Sequence, residues 1–244
     1  DTVAAFLIEP ITGTTAPGLV PPVAYMKKVR EICDKYDVLL CFDEVITGFG
    51  RTGKNFAADH FDVLPDIIAC AKGLGGGYVP IGAAIVSAKV VDAFAKGSGS
   101  LMHSFTYVGN PMVCAGASAV LQYLTDNNLI EASAKKGEFF LKVLKEELGG
   151  HPNVGDIRGK GLLIGTEYVK DKKTKEPFPV TDQISARVAR YCFEHGVLVV
   201  SALPGTADGI SGDGTQISPP FVIDEAEMKI VARTLRGALE SIFG

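Results

Sequence analysis

Residues 38–42, Val38-Leu39-Leu40-Cys41-Phe42, form a short apolar run that ends in two acids, Asp43 and Glu44. Bounded runs of this length read as buried strands, because a strand covered on both faces needs no polar alternation. A second run over 66–70 ends at Ala71 and Lys72. Between them in character, residues 2–8 read as another interior strand, and Val23, Met26, Val29, Ile32 and Cys33 recur at helical spacing behind Pro21-Pro22. Strand, helix and strand in that order predict a parallel βαβ unit. Ligands of open α/β sheets sit beyond the carboxyl ends of the strands, so an acid and an amine delivered there converge on one crevice.

Further along, 81–87 reads as a strand, 89–96 as a short helix and 97–100 as a flexible Gly/Ser connection. Asn110 caps and Pro111 opens a long helix whose amino end lies near Thr106, an arrangement suited to an anion such as phosphate. The character changes over 125–128, which predicts an α/β domain over 1–125 and a smaller α+β domain over 126–244. In the latter, 129–148, 181–195 and 224–243 read as helices, the last capped by Asp224. Strands are expected over 154–158, 162–169 and 196–200, with a charged turn at 170–175 and a glycine-rich loop over 201–214.

Composition narrows the function classes. With 47% hydrophobic residues in 244, the chain can bury one large or two modest cores, and its net charge of −4 offers no basic field to nucleic acid. No apolar run approaches a membrane span and no targeting sequence is visible, so a cytoplasmic protein without a membrane partner is expected. Five cysteines without a CxxC pair and four scattered histidines argue for buried thiols rather than disulfides or a metal site.

An acid that ends a strand is commonly a turn or cap residue, and a lone lysine is commonly a surface residue. The pair carries more, because Lys72 precedes Gly73-Leu74-Gly75-Gly76-Gly77-Tyr78, where the backbone can crowd close to a bound group. A lysine flanked by apolar residues suits a Schiff base, and an aspartate facing a pyridine nitrogen would keep that nitrogen protonated and the ring electron-withdrawing. Together they suggest pyridoxal 5'-phosphate (PLP). Residues 48–55 nearly spell a nucleotide-binding P-loop, but Asn55 stands where the magnesium-binding hydroxyl belongs, and the acidic strand end precedes the loop instead of following it.

The stretch Phe42-Asp43-Glu44-Val45-Ile46-Thr47-Gly48-Phe49-Gly50-Arg51-Thr52-Gly53, then Ala71-Lys72-Gly73-Leu74-Gly75-Gly76-Gly77-Tyr78-Val79-Pro80-Ile81-Gly82, then Phe105-Thr106-Tyr107 with Gly109-Asn110-Pro111, resembles the class III aminotransferases, the omega-transaminase group. The resemblance runs in order through almost the whole chain. It implies the PLP-dependent fold type I, here part of its large, mainly parallel-sheet domain followed by the C-terminal α+β domain. By it, Lys72 would carry the internal aldimine, Asp43 would pair with the pyridine nitrogen, Val45 would pack under the ring, and Thr106 would reach the cofactor phosphate of a neighbouring subunit in a homodimer or higher homo-oligomer.

The implied reaction moves an amino group from an amine or omega-amino acid to a keto acid such as pyruvate. An aminomutase of the glutamate-1-semialdehyde type and an inactive cofactor-binding half are the alternatives. Some members carry a glutamate five positions after Glu9 that covers a carboxylate-binding arginine; Thr14 stands there, which points to the pyruvate-using branch. Arg158-Gly159-Lys160-Gly161-Leu162 resembles the family's arginine motif, so Arg158 would clamp a substrate carboxylate, with packing between domains as the other reading. No arginine occurs over 201–220, where many members hold a mobile one. The strand pattern begins at once after Asp1, and the family's phosphate-cradling and ring-stacking segments are expected upstream of it.

Overall fold

The structure, a computed structural model, describes residues 2–244 and divides into two compact units. The division is not contiguous. The first unit comprises the chain up to Pro10, Pro21–Gly50 and Lys54–Asn128; the second takes Ile11–Val20, Arg51–Gly53 and Leu129–Gly244.

In the first unit, β1 (Ala5–Ile8), β2 (Leu39–Asp43), β3 (Ile67–Cys70) and β4 (Ala83–Val86) form one sheet in that order. The first three strands run parallel, with α1 (Val23–Lys35) as the crossover between β1 and β2, and β4 returns antiparallel to β3. Met26, Val29 and Cys33 are the buried face of α1, the spacing that its apolar period requires. Asp66, just ahead of β3, accepts from Leu40 N at 2.8 Å and from Arg30 Nη1 at 2.8 Å, so β2, β3 and α1 share one carboxylate at the end of the sheet away from Asp43. The Arg30 guanidinium and the Leu40 amide hold Asp66 below the usual carboxylate range in spite of its burial. The edge strands leave Leu7 and Ile85 exposed. Beyond β4 lie α2 (Ala88–Lys96) and α3 (Pro111–Asp126); Asn110 Oδ1 caps α3 by accepting from Met112 N and Val113 N.

In the second unit, β5 (Val154–Lys160) and β6 (Leu163–Tyr168) make a hairpin, and the sheet order β5-β6-β8-β7 is completed by β7 (Val200–Ser201) and β8 (Asp213–Ile217), antiparallel throughout. Helices α4 (Leu129–Leu148), α5 (Ile184–Glu194) and α6 (Glu225–Phe243) supply Phe140, Leu144, Val188, Leu235 and Leu239 to its core. Asp224 and Glu227 close a reciprocal capping box on α6. The sequence pattern leaves β8 unassigned, yet every residue of it is buried. Its polar side chains are satisfied laterally: Thr166 Oγ1, Tyr168 Oη and Thr215 Oγ1 lie 2.7 to 2.9 Å from one another, and Asp213 accepts from Ser185 N and Oγ.

Candidate active site

Asp43 and Lys72 arrive at the same end of the first sheet by register. Asp43 is paired with Ala69 across the parallel β2–β3 ladder, and Lys72 follows Ala69 by one turn of chain. Asp43 is half-buried; its Oδ1 accepts from Val45 N at 3.0 Å, while Oδ2 takes no hydrogen bond among the described residues. One carboxylate oxygen is thus held by the backbone and the other remains available as an acceptor. Val45 is half-buried beside it.

Lys72 opens the short 3-10 turn Lys72–Leu74 and is exposed. Its ε-amine makes neither a hydrogen bond nor an ion pair among the described residues. Its backbone lies at φ +37°, and Phe49 in the loop after β2 lies at φ +55°; non-glycine residues rarely adopt this region, and such residues concentrate at functional sites. The two loops meet at Gly73, where a Cβ would stand 3.4 Å from Gly48 O and from Phe49 Cβ. Behind Lys72, Leu74 packs with Cys70 and with Ala117 of α3.

Thr106 lies in the turn ahead of α3, exposed, and its hydroxyl has no hydrogen bond among the described residues. Arg158 belongs to the second unit, where its guanidinium is already engaged. Nη1 donates to Glu167 Oε2 at 2.5 Å and Asp156 Oδ2 at 3.1 Å, and Nε donates to Pro17 O at 3.2 Å. A substrate carboxylate would have to displace two resident ones. Thr14 and Gln216 are joined at 3.0 Å, Thr14 Oγ1 donating to Gln216 Oε1, and Gln216 Nε2 donates to Ser218 Oγ.

Two further residues of the motif over 42–53 escape sequence reasoning. Glu44 is completely buried, and burial pushes its carboxyl above the usual range although Thr47, Ala57 and Ala58 all donate to it. Arg51 donates from Nη1 to Leu162 O and Pro219 O and lies over the Phe221 ring; burial without a carboxylate partner lowers its pKa to about 10. Both sit inside the long motif, where the signal of Asp43 and of the glycines masks theirs. Among the described residues no cluster of histidine, cysteine and carboxylate side chains could hold a metal, and no helix is long and apolar enough to cross a membrane.

A strand-end aspartate with a free oxygen, an unengaged lysine amine in the turn after the adjoining strand and a glycine loop around it are the parts a pyridine-aldehyde cofactor needs. The sequence model described as Aminotransferase class-III matches residues 1–239. The chain belongs to the class III aminotransferases. Like other members it is similar to an uncharacterized aminotransferase, YodT, of Bacillus subtilis (40% identity over 93% of this chain and 51% of that one) and to a probable mitochondrial gamma-aminobutyrate transaminase 3 of Oryza sativa subsp. indica (37%, over 99% and 46%). Among solved structures it superimposes with a TM-score of 0.88 on an amine transaminase from an uncultivated Pseudomonas species described as PLP-bound, at 35% identity over 98% of this chain and 52% of that one. Its architecture is therefore that of the PLP-dependent transaminases, and the chain spans about half the length of the curated relatives it matches.

Proposed function

We propose that the protein of which this chain is part transfers an amino group from an amine or omega-amino acid to a keto acid such as pyruvate, with PLP as cofactor. The observation that carries this is the pairing of Asp43 with Ala69 on adjacent parallel strands, which brings the free oxygen of Asp43 and the unengaged amine of Lys72 to one strand end. PLP bound there supplies an aldehyde for the incoming amine and a ring that withdraws the electrons left when a proton departs. Lys72 would hold that aldehyde through its ε-amine and, once displaced by the amino donor, would serve as the base that moves the proton. Asp43 would keep a positive charge on the ring nitrogen; its worth would be greatest as negative charge develops on the ring, so it would act mainly on the rate of proton removal. Val45, half-buried beside Asp43, would offer its apolar side chain to the ring.

A donor without an α-carboxylate accords with the state of Arg158, which offers no free cation. Arg158 is neutralised by Glu167 and Asp156, and the Thr14–Gln216 pair is uncharged. The test is borohydride reduction of the PLP-loaded full-length protein, followed by peptide mapping and a donor and acceptor panel. A pyridoxyl label on Lys72, lost with turnover in Lys72→Ala, is expected; a label on another lysine overturns the assignment.

A further inference from the structure

Glu44 touches neither reacting group, yet every polar atom it has joins the segments that hold them. Its backbone N–H donates to Ala69 O at 2.8 Å, tying the end of β2 to the residue that leads into the Lys72 turn. Its backbone carbonyl accepts from Gly48 N at 3.0 Å and closes the 44–48 turn beside Asp43. Its carboxylate accepts from Thr47 Oγ1 at 2.5 Å and Ala57 N at 2.8 Å through Oε2, and from Ala58 N at 2.9 Å through Oε1. Phe56, the residue before Ala57, stands edge-on to Phe49 with ring centroids 5.3 Å apart, and Phe49 in turn backs Gly73 beside Lys72. The contacts form a closed ring from Asp43 through Glu44, Ala57, Phe56, Phe49 and Gly73 to Lys72, and through Ala69 back to Glu44. Its three carboxylate donors are all neutral and the nearby Asp59 carries like charge, so this carboxylate gains no ion pair; an aliphatic side chain could fill the space but could not bind three donors at once.

We propose that Glu44 is a positioning residue that sets the distance between the Asp43 carboxylate and the Lys72 amine. The proposal rests on the function argued above. Glu44→Gln keeps the shape but turns an NH2 group toward backbone N–H donors, and Thr47→Val removes one donor only. Met26→Ala, at a fully buried position of α1, serves as a control for stability lost without a change in the ring. In full-length protein, Glu44→Gln should lower kcat about tenfold or more with KM little changed, the signature of a lost alignment rather than lost binding. The pH midpoint of the visible absorbance of the PLP-loaded protein should move upward by about 0.5 or more, because a ring nitrogen less well aligned with Asp43 withdraws less charge. Thr47→Val should shift both in the same direction by less. In the cofactor-free protein, amide exchange at Ala57 and Ala58 should quicken in Glu44→Gln. Met26→Ala should lower Tm and move none of these. If Glu44→Gln and Thr47→Val behave like Met26→Ala at equal loss of Tm, the proposal is overturned; if Glu44→Gln does not fold, an unshifted midpoint in Thr47→Val overturns it alone. A borohydride-reducible protein aldimine that survives Lys72→Ala would instead sink the functional reading itself.

Discussion

Arg158 can either clamp a substrate carboxylate or hold its own unit together, and the geometry favours the second with a measurable consequence. Replacing it by Met keeps an apolar stem and removes three donors. The Glu167 contact is partly buried on both sides and the Asp156 contact is more exposed, so the pair of ion pairs contributes about 1 kcal/mol. The hydrogen bond to Pro17 O, made by a charged donor, adds about the same again. Arg158→Met should therefore cost about 2 kcal/mol of stability, visible as a lower Tm or denaturation midpoint. A substrate clamp behaves differently: loss of one partner of a desolvated, hydrogen-bonded charge pair costs at least about 2 kcal/mol, or about 30-fold in kcat/KM, and only for donors that carry the carboxylate. Matched donors with and without a carboxylate, assayed on full-length protein, separate the cases. The ratio of their kcat/KM values should stay within about threefold of wild type. A selective collapse of the carboxylate-bearing donor would refute the reasoning and return Arg158 to the substrate.

Two further outcomes are expected. Thr106→Val should weaken PLP binding by about 1–3 kcal/mol and make cofactor loss more sensitive to protein dilution, as a hydroxyl serving a neighbouring subunit requires; in heterodimers with Lys72→Ala subunits the one lysine-bearing site should regain normal affinity, and a site that stays weak would show that Thr106 serves its own subunit. Burial pushes the Tyr168 hydroxyl up to about 12 from an ordinary 10.0, so its contribution to stability is complete below pH 10.0 and is lost as pH rises through about 12, at most about 3 kcal/mol. Tyr168→Phe should flatten that stretch of the pH–stability curve, and an unchanged slope in alkaline denaturant titrations would count against it.

The placing of Asp43 and Lys72 at one end of the sheet was legible in the sequence because each stands at the end of an apolar run, where the strand period changes to turn chemistry. Helices α1, α3 and α6 were legible from a proline or capping residue ahead of a helical pattern, and α4 from its amphipathic pattern alone. The strand β8 was not. Asp213-Gly214-Thr215-Gln216-Ile217 has the composition of a loop, and what makes it a buried strand is a set of partners, Thr166, Tyr168 and Ser185, that are distant in sequence. Nor could hydrophobic pattern single out Glu44: an acid beside an acid looks like a solvated strand end until Ala57 and Ala58 are seen to donate to it. A boundary near 125–128 follows from a change of character in the chain, whereas the assignment of 11–20 and 51–53 to the second unit rests on close backbone approaches that leave no trace in composition.

Residues 11–20 carry a consequence for biogenesis. Gly18, at φ +63°, lies so close to Gly165 that a Cβ would stand 2.7 Å from its amide nitrogen, and a Cβ on Gly165 would overlap the Pro17 carbonyl. This strap is synthesised long before the strand that receives it, and the long closure between them makes its docking a late, slow event in folding. The strap cannot make its close approach to Gly165 before β6 has been synthesised. A gene cut between 128 and 129 would encode a C-terminal piece without it, so the two compact units of the finished protein are not two independent products of translation.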